Sequence, residues 1–251
     1  MKFSTPDYLS LLDSQAFGRK ILYIQKTRST NDEIWEHFTD NDHLIVVTDN
    51  QTQGRGRRGN SWISKEYQSL TFSVGLIDDS KSSSLLSLKV AIALCKSINN
   101  ITDLQSSTKW PNDILIKNKK VAGILIESKV SQGKRILNIG VGVNIDLDSS
   151  NIDKALRDTV TSINTESKKK YKREDLLAEF IKELDSVLYK EDNYTIKLWS
   201  ELCMHINQEL KFHDFNNRVI KGIFTGVDGK GRAMIDTNGK INFYFNGIIQ
   251  L

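Results

Sequence analysis

The sequence predicts an α+β fold in which helices flank a mixed or antiparallel sheet. Three apolar segments, 114–116, 121–126 and 136–145, are separated by short polar turns, which is typical of an antiparallel meander. Two long helical patterns, 84–98 and 171–190, carry the apolar faces needed to cover such a sheet.

The C-terminal end of the chain carries a different pattern. Short β-branched segments alternate there with the turn pairs Asp228-Gly229 and Asn238-Gly239, which favour tight hairpins. We therefore predict two domains, residues 1–208 and a small β domain of residues 209–251.

The first part of the chain supplies the remaining elements. Ser29 or Thr30 can cap a short helix that ends at Phe38. The β-branched run Leu44–Thr48 predicts a buried strand, and Leu70–Leu76 predicts a second one. A loop, 49–60, is expected between them.

Composition limits the class of protein. The chain has 251 residues, is 39% hydrophobic and 26% charged, and has no apolar run of about 18 residues. We expect no membrane span and no secretory signal. Cys95 and Cys203 are expected to be buried free thiols, so we predict a cytoplasmic protein. The net charge of +4 permits phosphate ligands or nucleic acid and selects neither.

The most informative segment is the loop Gly54-Arg55-Gly56-Arg57-Arg58-Gly59. It fits the dinucleotide-binding pattern G-x-G-x-x-G, but that fingerprint needs a helix after its last glycine. This chain instead continues through Trp62 toward the strand at Leu70. Two interpretations remain: a mobile loop whose guanidinium groups bind carboxylate and phosphate oxygens, or an arginine loop that binds nucleic acid.

A second charged segment is Lys109-Trp110-Pro111-Asn112-Asp113. Pro111 disfavours the helical region for Trp110, so we predict an extended segment that leads into a strand. A cation, an amide and a carboxylate in one rigid turn can hold a nucleotide and Mg²⁺. An ordinary charged turn is the alternative.

Glycines interrupt the apolar strands of the meander. Gly123 follows Lys120 closely, and Gly140 and Gly142 precede Asn144. A strand gives up packing at each glycine, so several in one sheet indicate a ligand that lies on the sheet. Curvature of the sheet is the alternative.

The sequence lacks the signatures of a covalent nucleophile, and its four histidines are not spaced as a zinc site. Its prominent features are cations, glycines and one carboxylate. That set suits a reaction in which two anionic substrates react with each other while the protein neutralises their charge. Joining a carboxylate to an α-phosphate is such a reaction.

In their order and spacing these motifs resemble the biotin–protein ligase family. The matching segments are Ser29–Asn31, Gln51 with Gly54–Gly59 and Trp62, Ser69–Val74, Lys109–Asp113, Lys120–Glu127 and Gly140–Asn144. The resemblance implies a class II synthetase-like catalytic domain. Residues 226–239 look like part of the family's small SH3-like β-barrel, which would form the C-terminal domain.

The resemblance implies an enzyme that activates biotin with ATP and Mg²⁺. Biotinyl-5′-adenylate and pyrophosphate form first. A lysine of a biotin carboxyl carrier protein, or of the carrier domain of a biotin-dependent carboxylase, then accepts the biotin.

The resemblance also implies roles for individual residues. Lys120 and Arg57 would be catalytic, because they neutralise the carboxylate and the developing charge, and Asp113 would bind the metal. The expected biotin-binding residues are Ser29, Thr30, Asn31, Gln51, Gly54, Arg55, Arg57, Lys120 and Gly123. The expected ATP-binding residues are Arg57, Trp62, Lys109, Asn112 and Asn144, with Trp62 over the adenine.

Three further expectations follow from the resemblance. The motifs begin by residue 29, so we expect a monofunctional ligase without the DNA-binding domain of some relatives, and no DNA partner. A homodimer is possible. The rival functions are a lipoate or other acyl-acid ligase of the same fold and a non-catalytic nucleic-acid-binding module.

Overall fold

The structure is a computed structural model that describes residues 1–12, 17–39, 43–78, 85–147 and 157–250. Its helices are α1 (Thr5–Leu11), α2 (Thr30–His37), α3 (Leu86–Ile101), α4 (Ile163–Ser167), α5 (Arg173–Leu188) and α6 (Asp192–Glu201). Its strands are β1 (Ile21–Thr27), β2 (Leu44–Gln51), β3 (Gly54–Arg55), β4 (Ser61–Trp62), β5 (Ser69–Ile77), β6 (Ser106–Lys109), β7 (Asp113–Ile116), β8 (Lys119–Ser131), β9 (Lys134–Asn144), β10 (Gln208–His213), β11 (Val219–Val227), β12 (Ala233–Thr237), β13 (Lys240–Tyr244) and β14 (Ile248–Gln250).

The main sheet has seven strands in the order β1-β2-β5-β9-β8-β7-β6. The pair β1–β2 is parallel and every other pair is antiparallel, so the sheet is mixed. The predicted meander is confirmed as β7-β8-β9, although β8 extends to Ser131 because its far end continues as a ribbon with β9.

The two faces of the main sheet differ in chemistry. On β5, Leu70, Phe72 and Val74 point into the core, where α3 and α5 pack, and α1 packs on α5. On the opposite face α2 packs against β2 and β5, and Ile34 forms a separate small cluster there with Val46 and Leu44. Since α2 covers only part of that face, the rest of it is free for a ligand.

Several elements differ from the prediction. The helix expected over 84–98 is α3, which begins at Leu86; Ser84 lies outside the described residues. The loop expected over 49–60 contains the end of β2 and the short ribbon of β3 and β4. The helix expected over 171–190 is α5, two residues shorter at each end. The strands β1 and β6 are additional.

The predicted extended conformation around Trp110 is wrong. Trp110 and Pro111 are joined by a cis peptide bond and form the turn between β6 and β7, whose ends pair Lys109 with Asp113. The predicted clustering of Lys109, Asn112 and Asp113 in one turn is confirmed.

The C-terminal strands form a second, antiparallel sheet in the order β13-β12-β11-β10-β14. Asn238 and Gly239 make the predicted two-residue hairpin turn, with φ values of 56° and 83°. Asp228 opens a longer loop instead, because its carboxylate accepts hydrogen bonds from the backbone of Lys230 and Arg232. The small separate sheet agrees with the expected SH3-like part of the fold.

The two sheets share one hydrophobic core. Trp110 packs against Phe212 of β10 at a ring separation of 6.0 Å, and Trp199 of α6 packs edge-on against Phe224 of β11 at 6.3 Å. Trp110 also donates a hydrogen bond of 3.0 Å to the carbonyl oxygen of Gly231. The C-terminal sheet is therefore fixed against the turn that carries Lys109 and Asp113.

Among the described residues, no helix is both long and apolar enough to cross a bilayer.

Candidate active site

A cavity with about 230 Å³ of free volume lies on the face of the main sheet that α2 leaves open. Its lining includes residues from the start of α2, the arginine loop (Gly54–Gly59), the turn between β6 and β7, and the face of β8 and β9 that carries their glycines. The C-terminal sheet closes one side with Gly247 and Ile248.

One end of the cavity is a buried polar cluster. The Gln51 Oε1 atom accepts a hydrogen bond of 2.9 Å from the Thr30 backbone amide, and Ser73 Oγ lies 2.7 Å from Thr30 Oγ1 and 2.6 Å from Asn31 Oδ1. Ser29 lies beside them and also lines the cavity. Such a set offers both donors and acceptors to a small polar ring from which water is excluded.

The strand glycines make room for side chains of this chain. A Cβ at Gly142 would meet the Trp62 ring, one at Gly140 would meet Asn31, and one at Gly123 would lie 3.3–3.4 Å from Lys120 and Trp62. The Trp62 ring therefore lies over Gly142 and close to Gly123, where we expected biotin to lie against the sheet.

A group of cations occupies the middle of the site. Lys120 Nζ is 2.6 Å from Asp113 Oδ1. Lys109, the partner of Asp113 in the hairpin, forms no ion pair with the described residues, and burial lowers its pKa, with Lys120 lowering it further. The site thus holds more positive than negative charge, which favours anionic ligands.

The arginine loop places two of its guanidinium groups in different environments. Arg55 lies 2.8 Å from Asp32 and 3.7 Å from Glu127, and the hydrogen bond to Asp32 raises its pKa. Arg57 contacts two neutral amides instead, Asn112 Oδ1 at 3.4 Å and Asn246 Oδ1 at 3.1 Å. Arg57 is partly buried, and desolvation lowers its pKa.

Asn112 has its amide engaged with the protein. Its Nδ2 atom donates a hydrogen bond of 2.6 Å to the carbonyl oxygen of Ile124, while Oδ1 faces Arg57. This geometry makes Asn112 a brace between β8 and the arginine loop. Its predicted direct contact with ATP stays a prediction.

A second cavity of about 720 Å³ adjoins the first. Asn144 lies there with Leu147 and Val160, and its Nδ2 atom donates a hydrogen bond of 3.0 Å to the carbonyl oxygen of Thr161. Seven residues line both cavities, and they include Trp62 and the charged residues Lys109, Asp113 and Lys120. Two substrates could therefore meet at the group of cations.

The structure brings the predicted site residues together, with one exception. Gly54 does not line the first cavity; a Cβ there would collide with Gln51 and with the backbone of Trp62. Its role is to let β3 and β4 pair tightly over Gln51. All other predicted residues line one of the two cavities.

Four residues at the site received no role in the sequence analysis, although the first three fall within its matching segments: Thr71, Ser73, Glu127 and Asn246. The first two were accessible from the pattern, because Ser69, Thr71 and Ser73 alternate with apolar residues along β5 and so share its polar face. Thr71 Oγ1 and Trp62 Nε1 are buried without a hydrogen-bond partner among the described residues, so a ligand can satisfy them.

The oxygen atoms that the protein offers at the site could hold a magnesium ion only together with oxygen atoms of a bound substrate. Asp113 is the carboxylate nearest the cations, and its Oδ1 atom already contacts Lys120. Among the described residues, the one group of three potential metal ligands is Glu33, Glu36 and His37 on α2, and none of these lines either cavity. Mg²⁺ is commonly held by one or two carboxylates together with substrate phosphates, which agrees with a single Asp113.

Comparison with known proteins identifies relatives of this chain. Residues 22–146 match the pattern of the biotin/lipoate A/B protein ligase family. The chain is 28% identical over 249 residues to the bifunctional ligase/repressor BirA of Bacillus subtilis, covering 96% of this chain and 76% of BirA. It is 25% identical over 242 residues to the biotin–[acetyl-CoA-carboxylase] ligase of Mycobacterium tuberculosis, covering 92% of this chain and 88% of that protein.

A solved structure agrees over almost the whole fold. The biotin protein ligase of Aquifex aeolicus, in complex with biotin and ATP, matches with a TM-score of 0.79 and 26% identity. The match covers 93% of this chain and 98% of that one. From its sequence pattern, its fold and the composition of its site, this chain belongs to the biotin/lipoate A/B protein ligase family.

Proposed function

We propose that this protein is an ATP-dependent biotin–protein ligase that forms biotinyl-5′-adenylate and transfers biotin to a lysine of a biotin carboxyl carrier protein. The observation that carries the proposal is the arrangement of the two cavities around Lys120. The buried cluster of Thr30, Asn31, Gln51 and Ser73 suits the ureido ring of biotin, and Asn144 lies in the second cavity, which suits the adenosine.

The first step joins the two substrates. A carboxylate oxygen of biotin attacks the α-phosphorus of ATP, the bond to the β-phosphate oxygen breaks, and pyrophosphate leaves. Lys120, Lys109 and Arg57 reduce the repulsion between the two anions and stabilise the charge that develops at phosphorus. Lys120 must leave its contact with Asp113 to do so, and an anion at the site provides the alternative partner.

The second step transfers the acyl group. The ε-amine of the acceptor lysine attacks the carbonyl carbon of the mixed anhydride, AMP leaves, and the amine loses a proton. Lys120 remains beside the carbonyl oxygen and the departing phosphate. Bound Mg²⁺ would neutralise phosphate charge, and Asp113 is the residue that would hold it.

The partner and location are inferred from relatives. The printed name of the Mycobacterium tuberculosis relative specifies a carboxylase, so we propose the carrier domain of a biotin-dependent carboxylase as the acceptor. We further propose that the ligase is cytoplasmic and does not bind DNA. Arg55 and Arg57 line the cavity and are engaged by Asp32 and Asn246, which supports a role at the cavity rather than on DNA.

The rival acid is lipoate. Its dithiolane ring lacks the donors and acceptors of a ureido ring, so it would leave the buried groups around Gln51 and Ser73 unsatisfied. Because sites built for hydrogen bonding reject analogues that lack them, we expect strong preference for biotin.

Acid-dependent exchange of labelled pyrophosphate into ATP tests the proposal without the acceptor. Biotin, lipoate and octanoate are compared in the wild type and in Lys120→Ala. Exchange with biotin alone, reduced at least about a hundredfold in Lys120→Ala, is the expected result. Exchange with lipoate or octanoate only would reassign the substrate, and no exchange with any acid would overturn the enzymatic function.

A further inference from the structure

A series of short hydrogen bonds runs from Glu127 to Thr30 through the buried polar cluster of the first cavity. Asn31 Nδ2 donates to a carboxylate oxygen of Glu127 at 2.8 Å, and Ser73 Oγ lies 2.6 Å from Asn31 Oδ1. Ser73 Oγ also lies 2.7 Å from Thr30 Oγ1. This Glu127–Thr30 series therefore joins a partly exposed carboxylate on β8 to a buried hydroxyl group that lines the cavity.

The amide group of Asn31 is held in one place. A Cβ at Gly140 would collide with Asn31 Oδ1, so the amide lies directly on that glycine. Asn138 Nδ2 donates a hydrogen bond of 2.9 Å to the backbone carbonyl oxygen of Asn31, and Asn138 is the register partner of Glu127 across β8 and β9. With its position fixed, the amide of Asn31 retains one freedom, which is the choice of the atom that faces Glu127.

The carboxylate of Glu127 makes that choice. A carboxylate accepts hydrogen bonds and donates none, so the Asn31 atom that faces it is the nitrogen and the atom that faces Ser73 is the oxygen. Because an amide oxygen cannot donate, the single proton of the Ser73 hydroxyl lies in the bond to Asn31. The contact between Ser73 and Thr30 then uses the proton of Thr30.

Thr30 is left without a proton for a ligand. Its nearest acceptor is Ser73 Oγ at 2.7 Å, while Gln51 Oε1 is farther away at 3.3 Å and already accepts from the Thr30 backbone amide. With either acceptor the proton stays within the protein, so the Thr30 hydroxyl offers the cavity lone pairs alone. The ligand group that complements it is an N–H.

We infer that Glu127 is a positioning residue that determines specificity, because it orients Asn31 and so makes Thr30 an acceptor for an N–H group of the acid substrate. The inference deepens the proposed function and rests on it only for the identity of the substrate, whose ureido ring carries such N–H groups. Without an acceptor on the Glu127 side, the amide of Asn31 could turn over and donate to Ser73. The Thr30 hydroxyl could then direct its proton at the ligand.

The orientation of Asn31 is tested first in the ligand-free protein by nuclear magnetic resonance. In nitrogen-15-labelled protein the side-chain amide signals of Asn31 are those lost in Asn31→Asp, and their exchange with solvent deuterium is followed. Glu127→Met, which has no acceptor, should speed this deuterium exchange about tenfold or more, whereas Glu127→Gln, which retains one, should stay within about threefold of the wild type. Unchanged exchange in Glu127→Met would overturn the orienting role.

Asp32→Asn is the matched control for charge. Asp32 is the other carboxylate beside Arg55, at 2.8 Å, so its substitution removes a negative charge there and leaves every member of the Glu127–Thr30 series in place. The deuterium exchange of the Asn31 amide in Asp32→Asn should stay within about twofold of the wild type.

The second measurement is the dependence of pyrophosphate exchange on the biotin concentration. Glu127→Met should raise the KM for biotin about 5- to 30-fold, the factor for one buried hydrogen bond, while the maximal rate and the KM for ATP stay within about twofold. Glu127→Gln should keep the KM for biotin within about threefold, and Asp32→Asn within about twofold. A fall in the maximal rate with an unchanged KM for biotin, or an equal effect of Asp32→Asn, would contradict the inference.

A double-mutant cycle with Ser73→Ala separates orientation from damage to the fold. Ser73 is the link between Asn31 and Thr30, so without its hydroxyl Glu127 no longer acts on Thr30. In the Ser73→Ala background, Glu127→Met should therefore raise the KM for biotin less than about twofold, and additive effects would overturn the series. If the wild type shows no biotin-dependent pyrophosphate exchange, the proposed function fails while deuterium exchange still decides the orientation of Asn31.

Discussion

At the scale of single residues, the arginines of one short loop differ because their partners differ. Arg55 is exposed to about two fifths and bonded to carboxylates, while Arg57 is partly buried and bonded to amides. A guanidinium that already has carboxylate partners has less to offer a phosphate. We therefore assign the contact with the substrate anions to Arg57 and a structural bridge between α2 and β8 to Arg55.

This assignment predicts unequal effects for two matched substitutions. Arg57→Ala should lower biotin-dependent pyrophosphate exchange about 10- to 100-fold, because it removes charge-assisted hydrogen bonds to the reacting anions. Arg55→Ala removes an exposed ion pair and should cost less than about fivefold. The measurement is pyrophosphate exchange in Arg57→Ala and Arg55→Ala at saturating ATP and biotin. Equal losses, or a larger loss at Arg55, would show that the partners do not determine the roles.

The same residues show how far the sequence alone can reach. Lys120, Gln51 and the segment 109–113 are local motifs, so their shared location followed from resemblance and is confirmed. The difference between Arg55 and Arg57 depends on Glu127 and Asn246, which are remote in sequence. Nothing in a one-dimensional pattern indicates which of two neighbouring arginines meets a carboxylate.

At the scale of elements, β9 explains why the site lies where it does. Its residues alternate strictly, with Ile139, Val141 and Val143 in the core and Gly140 and Gly142 on the opposite face. Trp62 fills the space above those glycines and lines both cavities. The glycines indicated close approach, as predicted from sequence, but the group that approaches them in this structure is a side chain of the protein.

Gly142→Ala tests this reading of β9. The added methyl group would overlap the Trp62 ring, so the ring must move from its place between the two cavities. We expect biotin-dependent exchange to fall about 10- to 100-fold, consistent with an overpacking cost of about 1–3 kcal/mol, with the fold retained. Gly229→Ala is the control, because a Cβ there has open space. Wild-type exchange in Gly142→Ala would mean that the position of Trp62 is not critical.

Some short secondary-structure elements were harder to predict from the sequence than the site was. β6 has only four residues, Ser106–Lys109, with no apolar side chain to mark it as a strand; its pairing with β7 and its hydrogen bond from Thr108 to Leu202 define it. α6 joins the two sheets, and its buried Trp199 is recognisable as a core residue only once Phe224 lies against it. Short elements held by distant partners carry weak local signals.

At the scale of the whole molecule, the two sheets behave as one packed unit at the active site. The segment between α6 and β10 carries His205, which lies close enough to Lys109 to feel its charge. The His205 ring stacks on Phe224 of the C-terminal sheet at 5.0 Å and lies within 3.4 Å of Cys203 Sγ. Only 3% of His205 is exposed, so a charge there is poorly solvated.

This burial predicts a loss of stability in acid that originates where the sheets meet. Desolvation, helped by the charge of Lys109, lowers the pKa of His205 to about 4, against 6.5 for an exposed histidine. At a pH between these two pKa values, His205 binds a proton in the unfolded chain but not in the folded protein. The contribution of His205 to the free energy of unfolding is therefore fully present above about pH 6.5 and is lost as the pH falls toward 4. The full difference is up to about 3 kcal/mol.

Urea unfolding at pH 7.5, 5.5 and 4.5 measures the effect in the wild type and in His205→Phe, which keeps an aromatic ring beside Phe224 and cannot be protonated. The free energy of unfolding should fall more steeply with acid in the wild type than in the variant, by up to about 3 kcal/mol at pH 4.5. Parallel pH profiles would place the acid sensitivity elsewhere. Because the two sheets share one hydrophobic core, we expect one cooperative transition in each protein; a separate transition of the C-terminal sheet would show that the shared core does not couple them.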